Sequence, residues 1–340
     1  MNIILTLDYE LYFGKQTGSV KQSMVKATDK LLSVLDVYNI KAVFFVDIGF
    51  LKRLKEVKAG KPQLEEDYTL LTNHLMRLSK EGHDLQLHIH PHWENSVYHN
   101  GVWKINTKKY RLGQWPEEKI HEIISSYKNL LSGFCTQNNV FAYRAGGWCI
   151  QPFDKIKKGL MDNDVWLDST VYQGGFQKDD THFFDFRNAP DLPKWRFEDD
   201  PLQVEESGYF MEIPIASFKV SPLFFWKLAF TKLWKNKIHN TFGDGVPLPA
   251  SKKWILNKML FPSNTVVSMD GYKASFLQKA LKYHQKKGAT KELVIIGHPK
   301  ALSEYSLRKL DEFIAQNNTE HKFHTFTTLL NQGTINKDLT

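Results

Sequence analysis

Apolar and polar positions along the chain change period several times, and each change marks an element. Ile3 to Leu7 is a short apolar run that gives way to Asp8-Tyr9-Glu10, which predicts a buried strand with a polar end. From Ser19 to Tyr38, Val25, Leu31, Leu32 and Leu35 fall on one helical face. Lys41 to Val46, rich in Val and Phe, predicts a second strand. Tyr68 to Lys80 returns to helical spacing through Leu71, Leu75 and Leu78, and Gly82 stops it. Asp84 to Ile89 predicts a third strand, and Pro116 to Leu131 a helix with Pro116 at its first position. Val140 to Tyr143 is a brief strand, Phe153 to Met161 a short helix, and Val165 to Leu167 another strand. Such alternation predicts parallel strands joined by crossover helices.

From Tyr172 to Glu212 the alternation breaks into an aromatic and polar stretch, read as short hairpins on a long excursion that covers a substrate. Leu223 to Trp234 is a helix that is apolar almost all round, with Lys nearby. Its composition suits peripheral contact with a membrane surface; the plainer reading packs it on the barrel or on a second subunit. Tyr272 to Lys287 is a helix ended by Gly288, and Leu293 to Ile296 a strand followed by Gly297-His298-Pro299. Ser303 caps a helix through Ala315, and Lys322 to Phe326 with a following short helix closes the chain. No internal repeat or linker appears. The economical reading is one domain over 1–340 with an insertion at about 172–290.

The chemistry-bearing residues collect at predicted strand ends. Asp8, Glu10, His88, His92, Arg144 and Asp168 all lie at C-terminal ends, where α/β folds place their sites. Residues two apart on a strand share a face, so Asp8 and Glu10 point the same way. Two carboxylates that close need a cation or a shared proton. His88, His90 and His92 fall within five residues, and imidazole is the commonest metal ligand. Strand geometry alone pairs His88 with His90.

Composition narrows the picture. The chain has 340 residues, 42% of them hydrophobic, enough for one large domain or two small ones. Only Cys135 and Cys149 are present, which predicts a reducing compartment and a metal held by His and carboxylate. The N-terminus shows neither a basic region nor a long apolar run, and no segment approaches 18 uninterrupted apolar residues; a cytoplasmic protein with no transmembrane segment is expected. The net charge of +8 comes from Lys scattered over many predicted helices, so no nucleic-acid partner is expected.

The ordered set Thr6-Leu-Asp-Tyr-Glu10, His88-Ile-His-Pro-His92, Arg144-Ala-Gly-Gly-Trp148, Asp168-Ser-Thr170 and Ile296-Gly-His-Pro299 resembles the polysaccharide deacetylases of the NodB-homology (carbohydrate esterase family 4) superfamily. It is closest to the intracellular branch associated with surface-polysaccharide biosynthesis. The resemblance spans about residues 3 to 330, apart from roughly 172 to 290. It implies a deformed (β/α)7 barrel, with a large insertion between the later strands, and one divalent metal, zinc before others. The implied reaction removes an N-acetyl or O-acetyl group from a sugar, with an acetylated glycan or sugar precursor as partner.

Carried over residue by residue, the resemblance makes Asp8 the general base, Arg144 its partner and His298 the general acid, with Asp168 orienting the acid. His88 and His92 become metal ligands. The first motif departs from the family, because Tyr9 stands where a second Asp is usual. Either Glu10 takes over metal binding, the reading favoured here, or Asp8 is the ligand and another group is the base. His90 is then a supporting or substrate-facing residue. Trp93 and Trp148 either stack on sugar faces or pack in the core. Two other readings stay open: a related hydrolase of small non-peptide amides, and a non-catalytic glycan-binding barrel. The oligomeric state cannot be read from the sequence.

Overall fold

The computed structural model describes residues 1–136, 139–233, 236–249, 252–288 and 292–337. Its centre is a curled, mostly parallel sheet. In chain order the strands are β1 (Asn2–Tyr9), β2 (Val43–Asp47), β3 (Asp84–Ile89), β4 (Ala142–Ala145), β5 (Leu167–Asp168), β6 (Trp195–Phe197), β7 (Phe210–Glu212), β8 (Glu292–Gly297) and β9 (Lys322–Phe323). They are ordered β6-β7-β5-β4-β3-β2-β1-β8, with β9 also pairing β1. Only the β6–β7 pair is antiparallel. The gap between β7 and β8 is bridged in parallel by Ile215 on Val294 and by Ser268 on Ile296. These bridges complete the deformed (β/α) barrel that the motifs imply.

Ten helices cover or flank the sheet among the described residues: α1 (Ala27–Leu35), α2 (Ile48–Val57), α3 (Pro62–Lys80), α4 (Glu117–Ser132), α5 (Asp154–Asp162), α6 (Pro222–Leu233), α7 (Lys252–Leu260), α8 (Leu277–Lys287), α9 (Glu304–Asn317) and α10 (Phe326–Asn331). The main strands are buried on both faces, as expected where helices pack outside and side chains fill the inside. Strand period two sorts the side chains. Phe44 and Val46 face the helices, while Ile4, Val43, Phe45 and Ala142 join an inner cluster plugged by Phe326 and Leu329 of α10. Continuing the inner positions toward the C-terminal ends gives Thr6 and Asp8 on β1, Asp47 on β2, His88 on β3 and Arg144 on β4. The barrel interior is thus apolar at its base and polar at its top.

The predicted helix over Ser19–Tyr38 is one winding track of mixed pitch, with a π segment at Val20–Lys26, α1, and a 3-10 turn at Asp36–Tyr38. The predicted Tyr68 helix begins earlier, at Pro62, because its first turn carries only Leu64 as an apolar signal. α2 lies outside the predicted elements; it starts directly after β2 with no turn residue between them. Pro116 is the N-cap of α4, one place before the expected position. The predicted helix Leu223–Trp234 is observed as α6, and its end at Trp234 lies outside the described residues. The stretch 172–290 contains the expected hairpin, Gly175–Lys178 with Phe183–Phe186. It also contains β7, Ile215 and Ser268, so part of it is barrel wall, not insertion. No helix among the described residues is long and apolar enough to cross a membrane.

Candidate active site

The top of the barrel opens into a pocket of about 340 Å³, lined by Asp8, Glu10, His88, His90, Asp270, His298 and Lys300, with the rings of Tyr12, Phe13, Tyr110 and Trp148 around them. That volume lies at the lower end of small-molecule sites.

Three lone-pair atoms meet on its floor. Glu10 Oε2 lies 2.7 Å from His90 Nε2 and 3.3 Å from His88 Nε2, and the two imidazole nitrogens are 3.1 Å apart. Glu10, His88 and His90 are the metal-competent group among the described residues. His88 Nδ1 lies 2.8 Å from the Arg144 carbonyl oxygen, so Nδ1 carries the hydrogen and Nε2 presents its lone pair. Glu10 Oε2 has no hydrogen-bond donor although fully buried. Burial pushes the Glu10 carboxyl up, but the Lys300 ammonium and the two imidazoles outweigh it and hold it well below the carboxylate range. Burial drives His90 down to about 4. For His88, burial is overcome by the Asp8 and Glu10 charges, which raise it. A deprotonated acid facing two imidazole nitrogens is a donor set that fits a divalent cation such as zinc.

This grouping corrects the expected ligand pair. His92 is absent from the cluster and His90 takes its place. β3 ends at Ile89, with His88 and His90 on one face, and Pro91 then opens a 3-10 turn, Pro91–Asn95. The turn carries His92 behind the site, where its ring stacks on Tyr110 at 5.4 Å and its nitrogens have no hydrogen-bond partner. His90, expected as a supporting or substrate-facing residue, lines the pocket and also stands in this cluster. Trp93 does not face the pocket either: it is fully buried against Phe50 and Trp103 and donates Nε1–H to Asp47 Oδ2 at 2.6 Å. Trp148 does line the pocket.

Asp8 stands on one side of the cluster. Its Oδ1 accepts a 2.7 Å bond from Arg144, and its Oδ2 lies 3.9 Å from His88 Nε2 and 3.5 Å from His298 Nε2. Arg144 is completely buried. It is held by the Ser169 carbonyl oxygen at 2.7 Å and Thr6 Oγ1 at 3.0 Å, with its guanidinium over Phe45. Every donor direction that matters is fixed, so the Asp8 carboxylate is held in one orientation.

His298 faces Asp8 from β8. Its Nδ1 donates to Asp270 Oδ2 at 2.8 Å, and its backbone N–H donates to Asp270 Oδ1 at 2.8 Å. Burial disfavours the imidazolium, but the Asp270 charge prevails and the His298 pKa rises. Asp168, expected to orient this acid, is not near it. Its oxygens accept from Thr170 N at 3.0 Å and Thr170 Oγ1 at 2.8 Å, an Asx-type turn. Its further partner is Glu212, whose carboxyl is pushed far up by burial and by the Asp168 charge and so keeps its proton. This carboxyl pair lies beneath Arg144, away from the pocket.

Sequence reasoning missed Asp270 and Lys300. Asp270 sits in the stretch taken for an insertion, and only its place just after the bridging Ser268 marks it. Lys300 ends the Gly-His-Pro-Lys motif itself. Its Nζ reaches Glu10 Oε1 at 2.9 Å and also bonds the Leu11 carbonyl oxygen.

No protein-family model and no curated protein matches the chain. Among solved structures it resembles a "putative polysaccharide deacetylase" from Mycobacterium smegmatis, at TM-score 0.52 and 15% identity over 100% of this chain and 93% of that one. It shares that protein's fold. Looser likenesses reach the peptidoglycan N-acetylglucosamine deacetylase domain of Eubacterium rectale (TM-score 0.41, 14% identity, 96% and 89% covered) and a family 4 acetyl xylan esterase of Clostridium thermocellum in complex with cobalt (0.39, 12%, 99% and 94%). Neither of these two is close enough to bear on the chemistry.

Proposed function

We propose that the protein is a metal-dependent hydrolase that removes an acetyl group, N-linked in the first instance, from a sugar in polysaccharide biosynthesis. The observation that carries this reading is the convergence of Glu10 Oε2, His88 Nε2 and His90 Nε2 between an Arg144-held carboxylate and an Asp270-held imidazole. Those three atoms would hold the cation, zinc being the best fit, and it supplies Lewis acidity for a water and a carbonyl oxygen. Asp8 takes the proton of the attacking water, its carboxylate aimed by the 2.7 Å bond from Arg144. The hydroxyl oxygen forms a bond to the acetyl carbon. His298 Nε2 then gives its proton to the departing amine as the carbon–nitrogen bond breaks, leaving acetate. Each acid or base role is worth typically ~10²–10⁴-fold. The aromatic rings of Tyr12, Tyr110 and Trp148 offer faces on which a sugar can stack. A cytoplasmic setting belongs to the same proposal, supported by two cysteines that are both free.

The test is metal content by mass spectrometry, paired with acetate release from acetylated chito-oligosaccharides. The wild type should carry one divalent ion, lost in Glu10→Ala, His88→Ala and His90→Ala and kept in His92→Ala. Wild type that takes up no metal and releases no acetate sinks the reading. Glycan binding that survives Asp8→Ala and chelation would replace it with a non-catalytic barrel.

A further inference from the structure

The helices α6 and α7 expose an apolar surface that the barrel does not use. On α6, Leu223, Trp226 and Phe230 recur at i, i+3 and i+7 and form one stripe, exposed by 60%, 45% and 51%. Phe224 points the other way and is buried on Phe276 at 4.7 Å, so α6 has both a docked and an open face. α7 has no buried residue at all among the described ones, yet Trp254, Ile255, Leu256 and Leu260 are all exposed, and Phe261 just beyond it is 62% exposed. A helix apolar all round is ordinarily buried. The two helices hold each other, with Trp226 Nε1–H donating to the Met259 carbonyl oxygen at 3.1 Å.

The charge around this surface selects its occupant. Between Ile213 and Met269 there are eight lysines and a single acid, Asp244. That acid is engaged elsewhere: its carboxylate accepts from Ser19 N–H, Ser19 Oγ and Ser23 Oγ on the barrel side. Lys227, Lys252 and Lys253 are exposed beside the apolar residues. Packing a second copy on this face would set lysines against lysines. An anionic bilayer satisfies both features at once, taking aromatic and aliphatic side chains into its headgroup boundary and pairing lysines with lipid phosphates. We propose that the α6–α7 pair docks the protein on an anionic membrane surface.

The surface is tied to the pocket. The chain between the helices returns to the barrel, where Val246 O accepts from Gly14 N–H at 3.0 Å and Gly243 N–H donates to the Lys300 carbonyl oxygen at 3.0 Å. Pro247 and Leu248 then form part of the pocket wall. Docking therefore sets the pocket beside the bilayer, where a lipid-carried glycan is presented. This last step, unlike the docking, rests on the deacetylase reading.

The experiment is flotation of the full-length metal-loaded protein with phosphatidylcholine vesicles, with and without phosphatidylglycerol. The protein should float only with the anionic vesicles, and added salt should release it. Lys252→Gln and Lys253→Gln should each lower partitioning about fivefold. Phe230→Asp and Phe261→Asp should abolish flotation while leaving metal content, circular dichroism and acetate release from a soluble substrate unchanged. Wild type that stays with the pellet, or that floats equally with neutral vesicles, overturns the proposal. So does a wild-type dimer that Phe261→Asp dissociates, since a second copy would then cover the face. Flotation without acetate release keeps the docking and refutes only the enzymatic reading.

Discussion

At the scale of single residues, the site is a set of charges that hold one another in state. The Asp270–His298 pair is the clearest case. Asp270 stabilises the imidazolium through Nδ1, which leaves Nε2 as the proton-delivering atom toward Asp8. Removing that carboxylate lowers the His298 pKa toward or below its ordinary value of about 6.5, so the acid form is lost at a lower pH. Asp270→Asn should move the alkaline limb of the kcat/KM profile to lower pH, with kcat reduced and KM little changed; an unmoved limb would show that another group is the acid. Lys300 is a different kind of neighbour. Its buried ammonium compensates Glu10 when no metal is bound, and breaking a buried pair from one side costs ~3–5 kcal/mol. Lys300→Met should therefore destabilise the metal-free protein by about that amount, seen as a lower Tm, and saturating zinc should restore most of the loss. A loss of equal size with and without zinc would place the role of Lys300 in packing against Tyr12 and Phe13 instead.

At the scale of elements, strand period and turn chemistry decide which side chains meet. β3 was legible to the residue, because the alternation of Leu85, Leu87 and Ile89 with polar neighbours between Gly82 and Pro91 leaves no other register. The histidine choice was not, since the family spacing of four and the strand spacing of two compete, and only the 3-10 turn after His90 settles where His92 goes. Arg144 lies inside β4, which ends two residues beyond the predicted strand, and that places it in the barrel interior against Asp8. The glycines after it have distinct tasks. Gly147 takes φ +60°, and Gly146 lies so close to His90 that a Cβ there would come within 2.5 Å of Nδ1 and 2.6 Å of the Ile89 carbonyl oxygen. The carbonyl belongs to β3 and cannot yield, so the His90 ring must. Gly146→Ala should displace that ring, lose stoichiometric metal and reduce kcat/KM by about 10²-fold or more. Full metal occupancy in that variant would mean that His90 is not a ligand.

At the scale of the whole molecule, the question is whether residues 172–290 are an appendage or part of the barrel. The strand–helix alternation up to Asp168 was visible, α2 apart, because most of its elements repeat one period long enough to register. Beyond it, β7 is three residues long and the closing contacts are single bridges at Ile215 and Ser268, too short to leave any pattern. Yet these contacts seal the barrel, and the same stretch delivers Asp270 to His298. The main apolar cluster also runs through it, joining Ile3 and Ile314 to Phe184, Phe218 and Val267. We propose that the chain therefore folds as one unit, with no part of this stretch independent of the barrel. Thermal unfolding followed by far-ultraviolet dichroism and by Trp fluorescence should then give one coincident transition, because the nine tryptophans are spread over barrel and excursion alike. Excising 172–290 should leave no cooperative transition at all, for it removes β7, the parallel strand that sets the protonated Glu212 opposite Asp168, as well as the seal on β8. Two separated transitions in the intact chain, or a cooperative melt in the excised one, would mean that the stretch is an inserted domain and that Asp270 reaches the site from outside the barrel's own folding unit.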